Sequence, residues 1–368
     1  MKTKDMMVVE EQIHHMLWGE TNTLALLLSH KIGLFELIAR EKRISLAEIC
    51  DNLKLAPRPV QALLSMCMNN KLIVFSKGYY SLTKEAAIYL VKDSHLYWGK
   101  IFDMRIMIDE LYSFKNFEAA FRADSPQIEL FGNDKKFDFT PIMHAKSMVT
   151  GMVWPDKVDF SSHKCLLDIG GGSGAHSIGA CTRWKNLKAI IFDFPDVCEL
   201  AKEFIANHNL QNRIHTGNGD MWKDDFPEAD IHFYSDILHD WPPEKGKFLI
   251  QKSFDSLDHK GRIVILERLF NKDKSGPFSA AAYNTIMMIL TRGQQFSDDE
   301  MLHLLKEAGY YTCTAIGHKT DCNFTTKEQL FMGKDWKERK KAQPFYAQVT
   351  FAGTHRKWNR DPKRPIDI

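Results

Sequence analysis

The chain has 368 residues, of which 44% are hydrophobic and 26% charged, and a net charge of +2. That length accommodates two domains and a sizeable core, and the near-neutral balance supplies no global field for nucleic acid. Cys50, Cys67, Cys165, Cys181, Cys198, Cys313 and Cys322 form no CxxC pair, so they read as reduced thiols of a cytoplasmic protein, not as a disulfide frame or zinc site. No signal-peptide core is visible at the N-terminus, and no run reaches the roughly 20 apolar residues of a bilayer span.

Residues 9–40 carry Leu24, Leu27, Leu28, Ile32, Leu34, Phe35 and Ile38 at helical spacing, interrupted near Gly33. Ser45 with Glu48 three residues on is an N-cap signature for the next helix. Pro57 and Pro59 sit at the start of a third, within 55–72. LIVFSKGYYSLT (72–83) then offers two short strands around Lys77-Gly78. Helix, helix and hairpin make a winged helix, placed at 1–95. A DNA-reading helix needs Lys, Arg, Asn or Gln on its exposed face. Residues 58–71 offer only Arg58, Gln61, Asn69, Asn70 and Lys71, interleaved with Leu63, Leu64, Met66 and Met68. A packing or dimer role is therefore expected, not nucleic-acid binding.

Residues 96–160 read as a helical linker rich in Met and aromatics. Such stripes suit a core or the wall of a pocket for flat apolar ligands. A third region, 161–333, alternates strands with helices from 165 onward: CLLDIG, LKAIIFDFP, IHTGNGDMW, ADIHFYSDILHDW and GRIVILERLF are the strand segments. Ser297 with Glu300 caps a late helix. The alternation predicts an α/β fold with a doubly wound parallel sheet of Rossmann-like type. Asp168, Asp193, Asp220 and His239 all fall at or beyond strand carboxyl ends, where ligands bind in such sheets. The final stretch, 334–368, holds ten Lys/Arg against four Asp/Glu. It reads as a solvated basic extension with a possible short strand at 346–353.

LLDIGGGSGAHS (166–177) is a glycine loop following a strand. Gly170, Gly172 and Ala175 satisfy GxGxxA, a dinucleotide pattern, while Gly170, Gly172 and Gly174 satisfy GxGxG; no GK[ST] follows, which excludes a P-loop. Asp193 lies 23 residues beyond Gly170, where its two oxygens can each accept a ribose hydroxyl. That fits NAD or S-adenosylmethionine (SAM). The mid-chain position of the loop and the NGDMW segment decide for SAM. Asp220 is placed to accept from an adenine amine, Met221 to pack on its ring, and Asp168 to lie near the cationic amino-acid end.

The ordered set LLDIGGGSG, FDFPDV, GNGDMW, ILHDW and VILERLF resembles the small-molecule O-methyltransferases of the plant caffeate and acetylserotonin type and their bacterial natural-product relatives, over roughly residues 15–333. The resemblance implies an N-terminal winged-helix dimerisation domain, an intertwined homodimer and a SAM-binding domain. It implies that Gly170, Gly172, Gly174, Asp193, Phe194, Asp220, Met221, Ser235 and Trp241 join Asp168 at the cofactor. Plant members often carry Lys where this chain has Ser235. The acceptor pocket is expected to include Met143, Met148, Tyr283, Asn284 and Met287.

Methyl transfer needs an aligned acceptor and a group that takes its proton. His239, beyond the fourth strand, has the right intrinsic basicity, with an unperturbed pKa of about 6.5, and stands where the family places its base. Glu267 matches the family's first supporting glutamate and is expected to hold the imidazole N–H. Gln295 stands where a second glutamate is common; its amide can hydrogen-bond the imidazole but cannot neutralise its cation. Asp240 is expected to be structural. No carboxylate-rich cage suggests a metal. The expected activity is metal-independent methylation of a phenolic or enolic hydroxyl on a small aromatic or polyketide-like acceptor. The alternatives are a SAM-binding relative doing N- or C-methylation, hydroxylation, decarboxylation or pericyclic isomerisation; an NAD oxidoreductase; and a winged-helix regulator.

Overall fold

A computed structural model of the chain describes residues 3–127, 139–258, 260–310, 313–316 and 348–354. Two units emerge: Met1–Asp109 with Phe137–Lys146, and Glu110–Lys136 with Ser147–Ile368.

In the first unit, α1 (Thr3–Lys31) stops just before Gly33. At φ 76°, this residue sits where glycine avoids a Cβ clash, and the chain turns into α2 (Leu34–Glu41), which buries Leu34, Phe35, Leu37 and Ile38. α3 (Leu46–Leu53) opens on a reciprocal cap: the Glu48 N–H donates to the Ser45 hydroxyl, and the Glu48 carboxylate accepts the Ser45 N–H. α4 (Pro57–Asn69) buries Val60, Leu63, Leu64 and Cys67. Arg58, Gln61 and Lys71 are exposed, while the Asn70 amide donates to Asn22 of α1 at 2.6 Å. β1 (Ile73–Ser76) and β2 (Tyr79–Leu82) pair antiparallel. Lys77 and Gly78 between them both have positive φ, as tight two-residue hairpin turns require. α5 (Lys84–Leu90) and α6 (Gly99–Met107) complete the unit.

In the second unit, α7 (Phe114–Ala123) precedes α8 (Phe139–Val153), whose residues from Ser147 onward belong here. The strands are β3 (Cys165–Ile169), β4 (Lys188–Asp193), β5 (Ile214–Asn218), β6 (Ile231–Ser235), β7 (Arg262–Arg268), β8 (Thr314–Ile316) and β9 (Gln348–Thr354). They form one sheet in the order β5-β4-β3-β6-β7-β9-β8. The intervening helices are α9 (Ala175–Arg183), α10 (Pro195–Asn207), α11 (Pro243–Ser256), α12 (Phe278–Leu290) and α13 (Asp298–Glu307). Adjacent strand residues feed opposite cores. Leu166, Phe233 and Val264 enter one hydrophobic cluster, while Leu167, Tyr234 and Ile263 enter another. A sheet covered on both faces yields unbroken apolar strand runs, which is why these segments stand out in the sequence.

The sheet departs from an all-parallel arrangement at one edge. β9 runs antiparallel to both β7 and β8 and lies between them. The expected strand in the basic extension therefore exists, but as a sheet strand and not in a solvated tail. It pairs the backbone groups that β7 would otherwise leave open. The remainder of 334–368 lies outside the described residues. No single helix among the described residues is long and apolar enough to cross a membrane.

Candidate active site

The glycine loop follows β3. Gly170, Gly172 and Gly174 have φ of 66°, 56° and 76°, backbone conformations that a Cβ disfavours. Their surroundings differ. A methyl group would lie 2.6 Å from Ile237 at Gly170 and 2.2 Å from Ile191 at Gly174, but would meet nothing within 4 Å at Gly172. Two glycines thus allow close packing, and the third faces open space. The Gly172 N–H donates to one oxygen of Asp193 at 2.9 Å, and the Phe194 N–H donates to the other at 2.8 Å. Burial raises the Asp193 carboxyl above its ordinary range, against these two donors. Each oxygen retains a further lone pair. Phe194 itself is 53% exposed.

Asp168 is buried below this loop, pressed against Gly171 and accepting the Ser177 hydroxyl of α9 at 2.7 Å. Burial pushes its carboxyl up to about 7. Asp220 accepts the Trp222 N–H at 2.9 Å and pairs with Lys223 at 2.9 Å, which holds it below the usual carboxylate range. Met221 packs against the hydrophobic cluster of Leu167 and Tyr234. Trp241 meets Trp222 edge-to-face at 4.9 Å, and the Lys245 ammonium lies over both rings. The Ser235 hydroxyl is 2.9 Å from Nε2 of His176.

Beyond β6 the chain turns at Asp236, whose φ is 52°, and enters a short helical turn over Leu238–Asp240. This turn buries His239 at 1% exposure. Glu267, on the adjacent strand β7, is equally buried. One of its oxygens accepts the backbone N–H groups of Leu238 at 3.0 Å and His239 at 3.4 Å. The other makes a very short hydrogen bond with Nδ1 of the imidazole. Nε2 is left 3.4 Å from Asp240. Burial opposes charge on His239, but Glu267 and then Asp240 outweigh it and raise the imidazole to about 10. The Tyr283 ring stands edge-on to His239 at 5.3 Å. Its face lies 4.4 Å under the Arg268 guanidinium, which in turn is 3.6 Å from Asp236.

The fold also gathers a carboxylate group that the sequence reading did not see. Asp236, His239 and Glu267 bring possible metal-ligating atoms within 4.8 Å of one another. Glu267 holds the imidazole and two backbone N–H groups, and one Asp236 oxygen lies 3.6 Å from the Arg268 guanidinium.

The segment 291–297 closes on this group. The Gly293 N–H donates to the Thr291 hydroxyl at 3.1 Å, and that hydroxyl donates to the sulfur of Met287. A methyl group at Gly293 would lie 1.9 Å from the carbonyl oxygen of His239, so only glycine allows the two backbones to approach this closely. The Gln295 N–H donates to the side-chain oxygen of Asn284 at 2.8 Å. The expected bond between the Gln295 amide and the imidazole is not formed: Nδ1 is bound to Glu267, Nε2 faces Asp240, and the amide has no partner among the described residues. Asn284 spends its oxygen on the loop, and Tyr283 its ring on His239 and Arg268. Met148 and Met287 are buried at 5% and 2% exposure. Met143 lies in the part of α8 that belongs to the first unit. Asp236, Arg268 and Gly293 were not anticipated; Arg268 directly follows Glu267, and Gly293 is the sole glycine of its loop.

The O-methyltransferase domain family matches residues 108–311, and the O-methyltransferase dimerisation domain matches residues 20–92. A 3-hydroxy-5-methyl-1-naphthoate 3-O-methyltransferase of Streptomyces sahachiroi is 30% identical over 300 residues, which span 79% of this chain and 86% of that protein. An acetylserotonin O-methyltransferase of Bos taurus is 29% identical over 301 residues, spanning 76% and 86%. Human N-acetylserotonin methyltransferase, solved in complex with SAM, shares the fold with a TM-score of 0.78 at 20% identity over 95% of this chain and 98% of its own. With its dimerisation and transferase domains in that order, the chain belongs to the family of SAM-dependent O-methyltransferases.

Proposed function

We propose that this enzyme methylates a phenolic or enolic hydroxyl of a small aromatic or polyketide-like acceptor, with His239 as the base and Glu267 as the residue that orients it. The buried hydrogen bond between His239 and Glu267 carries this reading. It fixes the Nδ1 proton on the glutamate side and leaves Nε2 as the atom that receives the acceptor's proton. Glu267 also stabilises the imidazolium that forms. The working form is the neutral imidazole, whose share grows as pH rises toward the raised pKa of His239.

The residues around the glycine loop fit the cofactor. Gly172 faces open space, and Asp193 is held by two backbone N–H groups with lone pairs to spare for ribose hydroxyls. When bound, SAM supplies the electrophilic methyl group. In this reading Gly170, Gly174 and Asp168 support that loop, while Phe194, Asp220, Met221, Ser235 and Trp241 shape the remainder of the site. Met148, Tyr283, Asn284 and Met287, all in the second unit, belong to the acceptor side. The two relatives' names, a hydroxynaphthoate and an acetylserotonin, point to a hydroxyl on a fused aromatic ring.

No metal takes part in this reading: both Glu267 oxygens are taken by the imidazole and two backbone N–H groups, and Asp236 lies beside the Arg268 cation. The enzyme works as a homodimer, supported by the dimerisation-domain match and by the exposed Met16, Leu17 and Trp18 on α1. The free thiols of the six described cysteines suit a reducing cytoplasm.

The test is methyl transfer from isotopically labelled SAM to hydroxynaphthoate and hydroxyindole acceptors, with mass and NMR identification of the product. A methyl ether lost in His239→Ala and unaffected by EDTA supports the reading. The neutral Gln295, standing where a second glutamate is common, favours a second reading, N- or C-methylation or another SAM-supported reaction. A product methylated at nitrogen or carbon, with turnover kept in His239→Ala, would establish it instead.

A further inference from the structure

Gln295 is 1% exposed, and neither its Oε1 nor its Nε2 has a hydrogen-bond partner among the described residues. A buried primary amide with no protein partner for its donor or its acceptor is unfavourable until another group answers both. Its backbone is not free to swing the amide outward. The Gln295 N–H is tied to Asn284, whose neighbour Tyr283 touches the imidazole. Two residues earlier, Gly293 lies against the His239 carbonyl. With about 3.8 Å between successive Cα atoms, Gln295 is anchored within two residues of the catalytic turn from one side and within one residue of its aromatic neighbour from the other.

We propose that Gln295 determines acceptor specificity, its amide hydrogen-bonding a neutral polar substituent, a second hydroxyl or a carboxamide, carried beside the hydroxyl that is methylated. This rests on the hydroxyl-methylating function proposed above and names the class of acceptor. The amide presents one acceptor and two donors. A hydroxyl or carboxamide answers both kinds of group. An ionised carboxylate answers only the N–H, and would add a second negative charge to a site where Glu267 is already buried. Glutamine has no charge with which to offset that. A site built to hydrogen-bond a substituent discriminates strongly against the analogue lacking it, because the buried polar group is then left unpaired.

The test uses the full-length protein loaded with S-adenosylhomocysteine and titrated with 2-naphthol and 2,3-dihydroxynaphthalene. Wild type is expected to bind the diol at least about tenfold more tightly, as one good buried hydrogen bond allows. Gln295→Leu, and Gln295→Met as a variant of nearly native length, are expected to lose that preference while keeping 2-naphthol affinity within about twofold. Equal or undetectable binding of the two probes to wild type, or a preference that survives both substitutions, overturns the proposal; the latter is what an internal water on the amide would produce. Methyl-ether formation is followed in parallel. Methyl ether without discrimination defeats only this inference. Discrimination without methyl ether defeats only the proposed hydroxyl chemistry. S-adenosylhomocysteine binding by each variant shows that it has folded.

Discussion

Glu267 holds His239 at two levels, accepting its ring proton with one oxygen and its backbone N–H, along with that of Leu238, with the other. The carboxylate therefore sets both the position of the turn and the charge preference of the ring. Glu267→Gln can keep the backbone contacts while removing the charge. The imidazole pKa is then expected to fall from about 10 toward its ordinary range. In wild type, kcat/KM is expected to rise with pH on the alkaline side of neutrality, as the imidazole loses its resting proton. In the variant that limb moves to lower pH, and the plateau drops about 10²- to 10³-fold through loss of imidazolium stabilisation. A pH–rate profile measured across both proteins checks this, and an unmoved limb contradicts the assignment of His239 as base.

The same pair makes stability depend on pH in a defined direction. The folded-state pKa of His239 is raised, so the stabilisation is fully present below its unfolded value of about 6.5. It is lost as pH rises toward about 10. Wild type is expected to lose thermal stability across that window by more than His239→Gln, which keeps a hydrogen-bond donor for Glu267 but does not titrate. With roughly 2–4 °C of Tm per kcal/mol in a unit of this size, differential scanning fluorimetry at closely spaced pH values resolves the difference. Parallel curves for the two proteins would mean that the pair is not coupled as the geometry indicates.

Much of this arrangement is legible in the sequence because it depends on local rules. The strand segments show themselves as apolar runs, since residues such as Leu166 and Leu167 are buried on opposite faces of one sheet. Ser45 and Ser297 announce their helices because a capping box is complete within four residues. His239 and Glu267 lie at the ends of neighbouring strands, which places them together once the sheet order is known. What is not legible is tertiary. The approach of Gly293 to His239 joins residues far apart in sequence, and nothing in TRGQQFS signals it. Gln295 aligns with a position expected to face the imidazole, yet Asn284 captures its backbone and the amide stays apart. The strand at β9 shows itself in the sequence, but its antiparallel place between β7 and β8 does not, because a strand that fills such a gap needs only to pair and not to match a helix–strand repeat.

Asp193 and Gly172 form a single device, a carboxylate steadied by the amide of the loop it faces. Asp193→Ala removes both the oxygens proposed to receive the ribose hydroxyls and the acceptor for that N–H. It is expected to weaken S-adenosylhomocysteine binding by about 10²-fold, as the loss of charge-assisted hydrogen bonds implies. Gly172→Ala adds a methyl group to the open face and strains a backbone at φ 56°, at about 1–2 kcal/mol. Its expected result is weaker cofactor binding with a modest loss of stability. Calorimetric titration distinguishes the two from wild type, and undiminished affinity in Asp193→Ala would remove this aspartate from the cofactor site.

Gly293 is the position where the least chemical change is expected to do the most damage. It contributes no side chain and no charge, yet a Cβ there would lie 1.9 Å from the His239 carbonyl oxygen and 2.5 Å from the carbonyl carbon of Asp240. Neither neighbour is a flexible side-chain tip; both are backbone in the turn that presents the imidazole. Gly293→Ala must therefore push either the 291–297 segment or the His239 turn out of place. Overpacking of this kind costs about 1–3 kcal/mol, and a displacement of about 1 Å at a catalytic group is enough for roughly 10²-fold in rate. The expected signature is a loss in kcat with S-adenosylhomocysteine affinity nearly retained, because the glycine loop and Asp193 stand on other strands. Equal losses in kcat and cofactor affinity would show instead that the damage spreads through the whole sheet, and that the segment is a general support and not a local brace for the His239 turn.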